Sequence, residues 1–243
     1  EGHSFGNLFL SALTTITGSL EKAVQASSKV LSVQGQVIPA TSVDVMLWAE
    51  LENGEKIFGE SLIGKSQKPI YRIGCLPENP TALPTALDAI KEADLIVLGP
   101  GSLYTSLLPN LLVPDIVEAL LKSDAPKIYI SNLMTQPGET DGLDVYQHIK
   151  SIEKQLLNFG VNKRIFNAIL SQIEFEESSL IDYYRSRGAE PVICDKRKLI
   201  SEGYYVLQAP LYARRITPTL RHDSRRLSRA VMFLYRKIKK VNQ

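Results

Sequence analysis

From Pro84 onward, apolar residues recur in two alternating patterns, and that alternation restricts the fold more than any other feature of the chain. Helical spacing marks 85–93, 112–121, 145–157 and 180–187, the second with Val113, Ile116, Val117 and Leu120 on one side. Between and after them lie short apolar runs at 95–98, 127–131, 164–170, 191–194 and 204–207, each of strand length. Short apolar strands separated by helices imply right-handed crossovers. The expected architecture is therefore α/β, a mainly parallel sheet with helices on both faces. A length of 243 residues suits one such domain over 1–243, closed by a last helix at 224–240.

Upstream the pattern differs. Residues 7–16 read as an apolar helix with Asn7 in the N-cap position, and Ser19 caps a second helix carrying Leu20, Ala23, Val24, Ser27 and Leu31. The period then changes to two. Val43, Val45, Leu47, Ala49 and Leu51 alternate, Asn53-Gly54 supplies a type I′ turn, and Ile57 and Phe58 lie on the return strand. This predicts an antiparallel hairpin, inserted over about 37–73 at the edge of the main sheet. The chain opens on Glu1-Gly2-His3-Ser4-Phe5-Gly6-Asn7, with no initiator Met and a loop-like motif already under way. No Gly-rich strand–turn–helix opens it, so residues are expected to precede Glu1.

Two loops carry the candidate chemistry. The run 95–98 leads straight into Gly99-Pro100-Gly101-Ser102-Leu103-Tyr104-Thr105-Ser106. Backbone N–H groups and small hydroxyls at the carboxyl end of a strand are where anionic ligands settle in α/β sheets, although Gly and Pro also serve an ordinary βα turn. The second loop, 131–142, follows the neighbouring run and is dense in amides, hydroxyls and glycines, able to bond a sugar, base or phosphate without repulsive charge. Its carboxylates Glu139 and Asp141, with Asp144, are the only acids near either loop, thin support for metal-assisted phosphoryl transfer. Before the last helix, Asp223 can cap it and Arg221 can reach a phosphate.

Other signals are set aside. Gly59-Glu60-Ser61-Leu62-Ile63-Gly64-Lys65-Ser66 spells the phosphate-loop pattern, but Pro69 follows too soon for the required helix. His3 has no partner carboxylate or second His nearby, and His148 reads as a structural or surface histidine. Cys75 and Cys194 offer neither a disulfide framework nor metal spacing and read as free thiols in a reducing cytoplasm. A net charge of +2 argues for neither nucleic acid nor membrane, and no run reaches the length of a transmembrane span. The last helix has an apolar stripe of Leu227, Val231, Leu234 and Ile238 among Arg and Lys residues, and is read as docked with a solvated basic face.

Together, the segments 2–8, 99–106, 109–113, 132–140 and 221–223 resemble the YvcK proteins, also called gluconeogenesis factors, of the CofD-like superfamily. The resemblance runs over essentially the whole chain. It implies a Rossmann-like fold that binds UDP-sugars such as UDP-N-acetylglucosamine. It also implies a bacterial cytoplasmic protein needed for cell shape and cell-wall synthesis during growth on gluconeogenic carbon. Carried over by motif, Gly99, Pro100, Gly101, Ser102, Tyr104, Thr105 and Ser106 would line the nucleotide crevice with Asn132, Met134, Thr135 and Gln136. Arg221 matches a family arginine of UDP-sugar binding. Tyr184, beside Tyr183, matches a binding tyrosine, and Asn7 and Asn110 join the set from adjoining motifs. Family members begin with a Gly-Gly-Gly-Thr-Gly loop and an Asp-Asp-Gly-Gly segment. Both are missing here, so no metal ligand and no catalytic residue is assigned.

The expected function is a UDP-sugar-binding regulator without turnover. One alternative is a transferase of a phosphorylated three-carbon acid from a nucleotide donor, as in the superfamily's enzyme branch, with Mg²⁺ as its cofactor. A second is a scaffold acting through other cell-wall proteins by its basic last helix. No nucleic acid and no membrane insertion are expected, and a homodimer is the default assembly.

Overall fold

A computed structural model describes residues 5–32, 34–66, 68–176, 178–212 and 219–241. Helices α1 (Phe5–Thr17) and α2 (Leu20–Val30) come first, followed by strands β1 (Met46–Leu51) and β2 (Lys56–Phe58), a four-residue helix α3 (Glu60–Ile63) and β3 (Ile70–Leu76). Helix α4 (Pro84–Glu92) then leads into β4 (Ile96–Leu98), a π turn over Leu103–Leu107 and a 3-10 turn over Leu108–Leu112. The remaining order is α5 (Pro114–Lys122), β5 (Lys127–Ile130), α6 (Val145–Leu157), β6 (Ala168–Gln172), α7 (Ser179–Arg185), α8 (Lys196–Ser201), β7 (Tyr205–Ala209) and α9 (Ser224–Val241).

The expected parallel sheet is present, with strands in the order β4-β5-β6-β7 and every pair parallel. Both inner strands are buried along their whole length, as strands covered on two faces must be. Alternation divides their side chains between two cores. Tyr129, Ile169 and Val206 face Val145, Ile149, Ile152 and Leu156 of α6. Ile128, Ile130, Ala168 and Leu170 face Ile181 of α7 and Ala230, Leu234 and Ile238 of α9. The last helix is thus docked by its apolar stripe, and its exposed Arg225, Arg229, Arg236 and Lys240 face solvent.

The hairpin is not at the edge of this sheet. It belongs to a separate antiparallel sheet, ordered β2-β1-β3. The third strand is not legible in the sequence because Gly74 interrupts its alternation; there the Trp48 ring fills the space a Cβ would need. The hairpin turn is also different. Only Gly54 has positive φ, and its N–H bonds the carbonyl of Leu51, so the loop is the three-residue form rather than type I′. Ala49, Ile73 and Cys75 of this sheet pack into the same core as Tyr129 and Ile169, so one apolar interior serves both sheets.

Other boundaries move for local reasons. The helix expected at 112–121 starts at Pro114, which suits a first helical position, because the π and 3-10 turns occupy the preceding residues. The strand expected at 164–170 lies at Ala168–Gln172. The run 191–194 is no sheet strand: Pro191 forms an isolated bridge to Met134, Val192 N–H bonds Leu133, and Ile193 accepts from Val145. No helix opens at Lys65; α3 precedes it and β3 follows, which removes the phosphate loop. Helix α1 begins at Phe5, so Asn7 lies in its first turn rather than at its cap, and His3 falls outside the described residues. Among the described residues, no helix is long and apolar enough to cross a membrane.

Candidate functional site

β4 and β5 are parallel neighbours, so the loops that follow them emerge side by side at the carboxyl edge of the sheet. The first is pressed down at once. Gly99 has φ +98, and a Cβ there would stand 2.6 Å from the carbonyl oxygen of Ile130. Only glycine lets the chain leave β4 this close to β5.

An amide chain then ties the two loops together. Asn132 Nδ2 donates to Gln136 Oε1 at 3.3 Å, and Gln136 Nε2 donates to Ser102 Oγ at 2.7 Å. The Ser102 oxygen is thereby an acceptor, and its hydrogen is directed elsewhere. Gln136 N–H donates to Thr140 Oγ1 at 2.8 Å, fixing the amide's own backbone. Thr135 is held by two bonds to Glu190: Thr135 N–H donates to its carbonyl and Thr135 Oγ1 accepts from its N–H, at 2.7 and 2.8 Å.

A third segment closes the cleft. Leu220 N–H donates to Tyr184 Oη at 2.8 Å, so the tyrosine holds the strip that carries Arg221 and His222. Burial pulls the pKa of the His222 imidazole down, partly offset by the neighbouring Ser131 backbone. His222 Nε2 and Ser131 Oγ are buried without a partner. Arg221 is exposed and makes no hydrogen bond or ion pair among the described residues.

The resulting cleft of about 440 Å³ is lined by Pro100, Gly101, Ser102, Asn132, Met134, Thr135, Gln136, Tyr184 and Arg221, together with Leu133, Leu220 and His222. It contains no carboxylate. Hydroxyls, amides and one unpaired guanidinium present donors in a space suited to an anion.

Several expected residues lie elsewhere. Tyr104 turns away from the cleft; its hydroxyl is 3.2 Å from Ser151 Oγ, beside a different cavity of about 370 Å³. Thr105 donates to Glu139 Oε1 of the second loop at 3.0 Å, and Asn110 Nδ2 donates to the carbonyl of Ser106 at 2.8 Å, so both hold the loops in shape. Asn7 sits on α1, which packs against α2. Burial pushes the Glu139 carboxyl above its ordinary pKa, opposed by the Thr105 hydroxyl and the backbone N–H groups of Tyr104 and Thr105. Asp141 accepts from Gly138 N–H and Asp144 caps α6, so none of the three acids near the loops reaches the cleft. His222 joins the cleft although only its neighbours Arg221 and Asp223 carry a role in the sequence. Its place depends on an isolated bridge to Tyr212, which nothing local announces.

The model of the family described as 2-phospho-L-lactate transferase CofD matches residues 1–212. The chain is 42% identical over 237 residues to the gluconeogenesis factor of Halalkalibacterium halodurans, covering 95% of this chain and 70% of that protein. It is 41% identical over 227 residues to the gluconeogenesis factor of Bacillus subtilis, covering 93% and 70%. A Nostoc protein bearing the same family name is 47% identical over 234 residues, and the chain spans only 50% of its length. Among solved structures, a UPF0052-family protein of Bacillus halodurans superposes with a TM-score of 0.87 at 41% identity, covering 96% of this chain and 73% of that one.

Proposed function

This chain belongs to the CofD-like family of gluconeogenesis factors, and within it we propose a regulatory protein that binds a UDP-sugar in the cleft between the loops after β4 and β5. The observation that carries the reading is the cleft's one-sided chemistry. Its walls hold Ser102, Asn132, Gln136 and the unpaired Arg221 and not a single carboxylate. A diphosphate fits such a surface: Arg221 neutralises part of its charge, and the Ser102 hydrogen, its oxygen already engaged by Gln136, donates to a phosphate oxygen. Bonds to charged groups contribute roughly 1.5–3 kcal/mol each, so a few of them with apolar burial reach the ~8 kcal/mol of micromolar binding.

The relatives' name, gluconeogenesis factor, supports a gluconeogenic setting. The reading is of a cytoplasmic sensor that reports nucleotide-sugar supply to the cell-wall machinery, and so to cell shape, during gluconeogenic growth. Isothermal calorimetry tests it: UDP-N-acetylglucosamine should bind without Mg²⁺-dependent product. A second reading takes its support from the matched family's description as a transferase. Selective binding of GDP or GTP, with turnover, would decide for that reading.

A further inference from the structure

A second cavity opens at the same edge of the sheet, where β6 and β7 end. It measures about 750 Å³ and meets the cleft at Thr135, which lines both. Its chemistry is the reverse of the cleft's. Asp144, Glu174 and Glu190 line it, and its one cation, Arg185, has its Nε 3.0 Å from the Glu190 carboxylate. A phosphate placed there would face three acids. A group rich in hydroxyl hydrogens would find acceptors instead.

Four side chains point to what such a group is. Glu174 and the Gln208 amide have no hydrogen-bond partner among the described residues. Gln172 is almost wholly buried and uses Oε1 to accept from Leu211 N–H at 2.7 Å. Phe175, packed against Tyr212 with ring centroids 5.0 Å apart and ring planes tilted by 40°, adds an aromatic wall. Carboxylates and amides beside an aromatic ring match the alternating hydroxyls and C–H face of a pyranose.

We propose that this cavity is the sugar subsite, receiving an uncharged hexose or N-acetylhexosamine while the cleft takes the diphosphate. The inference rests on the UDP-sugar reading and gives the diphosphate and the sugar of that ligand separate places. The spacing allows it. Adjacent strands lie ~4.8 Å apart, so the gap between β4 and β5 and the gap between β6 and β7 are separated by roughly 10 Å, a span a diphosphate and its sugar cover. Thr135, clamped to Glu190, is the sill between them.

Cys194 lines the cavity and reports its occupancy. The full chain is treated with a small thiol reagent at mildly alkaline pH, and modification of Cys194 is followed by peptide mass spectrometry, with calorimetry in parallel. At about ten times its Kd, UDP-N-acetylglucosamine should slow Cys194 modification about tenfold, and UDP at matched occupancy should leave it unchanged. In a Gln208→Leu variant, the affinity gap between the two ligands should shrink. UDP-N-acetylglucosamine that binds in calorimetry without protecting Cys194, UDP that protects equally, or an unchanged gap in Gln208→Leu would each overturn the subsite. Failure of both ligands to bind wild type would overturn the UDP-sugar reading itself, a different result in a different measurement.

Discussion

Replacing Gly99 with alanine, and Gly142 with alanine beside it, separates two costs that usually arrive together. Both glycines have positive φ, +98 and +70, so both alanines carry the penalty of the left-handed region, about 1–2 kcal/mol. At Gly142 nothing lies within 4 Å of the added Cβ, and no further cost is expected. At Gly99 the Cβ meets the Ile130 carbonyl oxygen at 2.6 Å, whereas ordinary contact begins at 3.4 Å. The obstacle is backbone and cannot swing aside. Relief requires the chain to move roughly 0.8 Å just after Leu98 pairs with Tyr129, and core overpacking of this kind costs about 1–3 kcal/mol. Gly99→Ala should therefore lose about 2–5 kcal/mol and Gly142→Ala about 1–2 kcal/mol, read as shifts in urea midpoint at unchanged slope. UDP-sugar affinity should fall with the first and not the second. Equal losses would refute the idea that the first loop is seated by contact with β5.

Arg221→Ala should weaken UDP-N-acetylglucosamine binding by about 10- to 150-fold in calorimetry, the loss of a charge-assisted contact. Its thermal midpoint should stay unchanged, because Arg221 is exposed and bonds nothing among the described residues. Burial raises the Glu139 pKa, so its neutral form is favoured in the fold and its contribution falls as pH rises through the carboxylate range. Glu139→Gln should therefore gain stability relative to wild type from about pH 4 upward in denaturant titrations, keeping an acceptor for Thr105. Burial depresses His148 to about 4, countered by Asp144. Its contribution is complete above about pH 6.5 and is lost as pH falls toward 4, roughly 3 kcal/mol in all, and its ring resonances should show no titration near pH 6.5. Leu234→Ala, at a fully buried position on α9, should cost 2–5 kcal/mol, roughly the range for such truncations.

The parallel sheet was legible because its inner strands are buried on both faces and so read as continuous apolar runs. The antiparallel sheet was half legible. β1 alternates and ends at a glycine turn, but β3 hides its pattern behind Gly74, whose missing side chain is supplied by Trp48 from the neighbouring strand. The six-residue α8, with Asp195 accepting from Lys198 N–H at its start, is too short for periodicity to betray. In the site, the two loops were visible from composition and position along the chain. What remained hidden was direction. Tyr104 lies two residues beyond Ser102, yet the π turn sends its side chain into the opposite wall, toward Ser151. His222 and the β6–β7 cavity depend on contacts between segments far apart in sequence, and no local pattern encodes those.

The shared interior has a thermodynamic meaning that the strand diagram conceals. Among the described residues the two sheets exchange no backbone ladder, and by topology alone they could melt separately. Ala49 and Ile73 of one nevertheless occupy the same apolar cluster as Tyr129 and Ile169 of the other, under a common cover from α6. Exposing either sheet strips apolar lining from the other, so the two should unfold in one cooperative transition. Room for change lies at the margins, above all in the exposed hairpin tip at 52–55, where insertions disturb no buried contact.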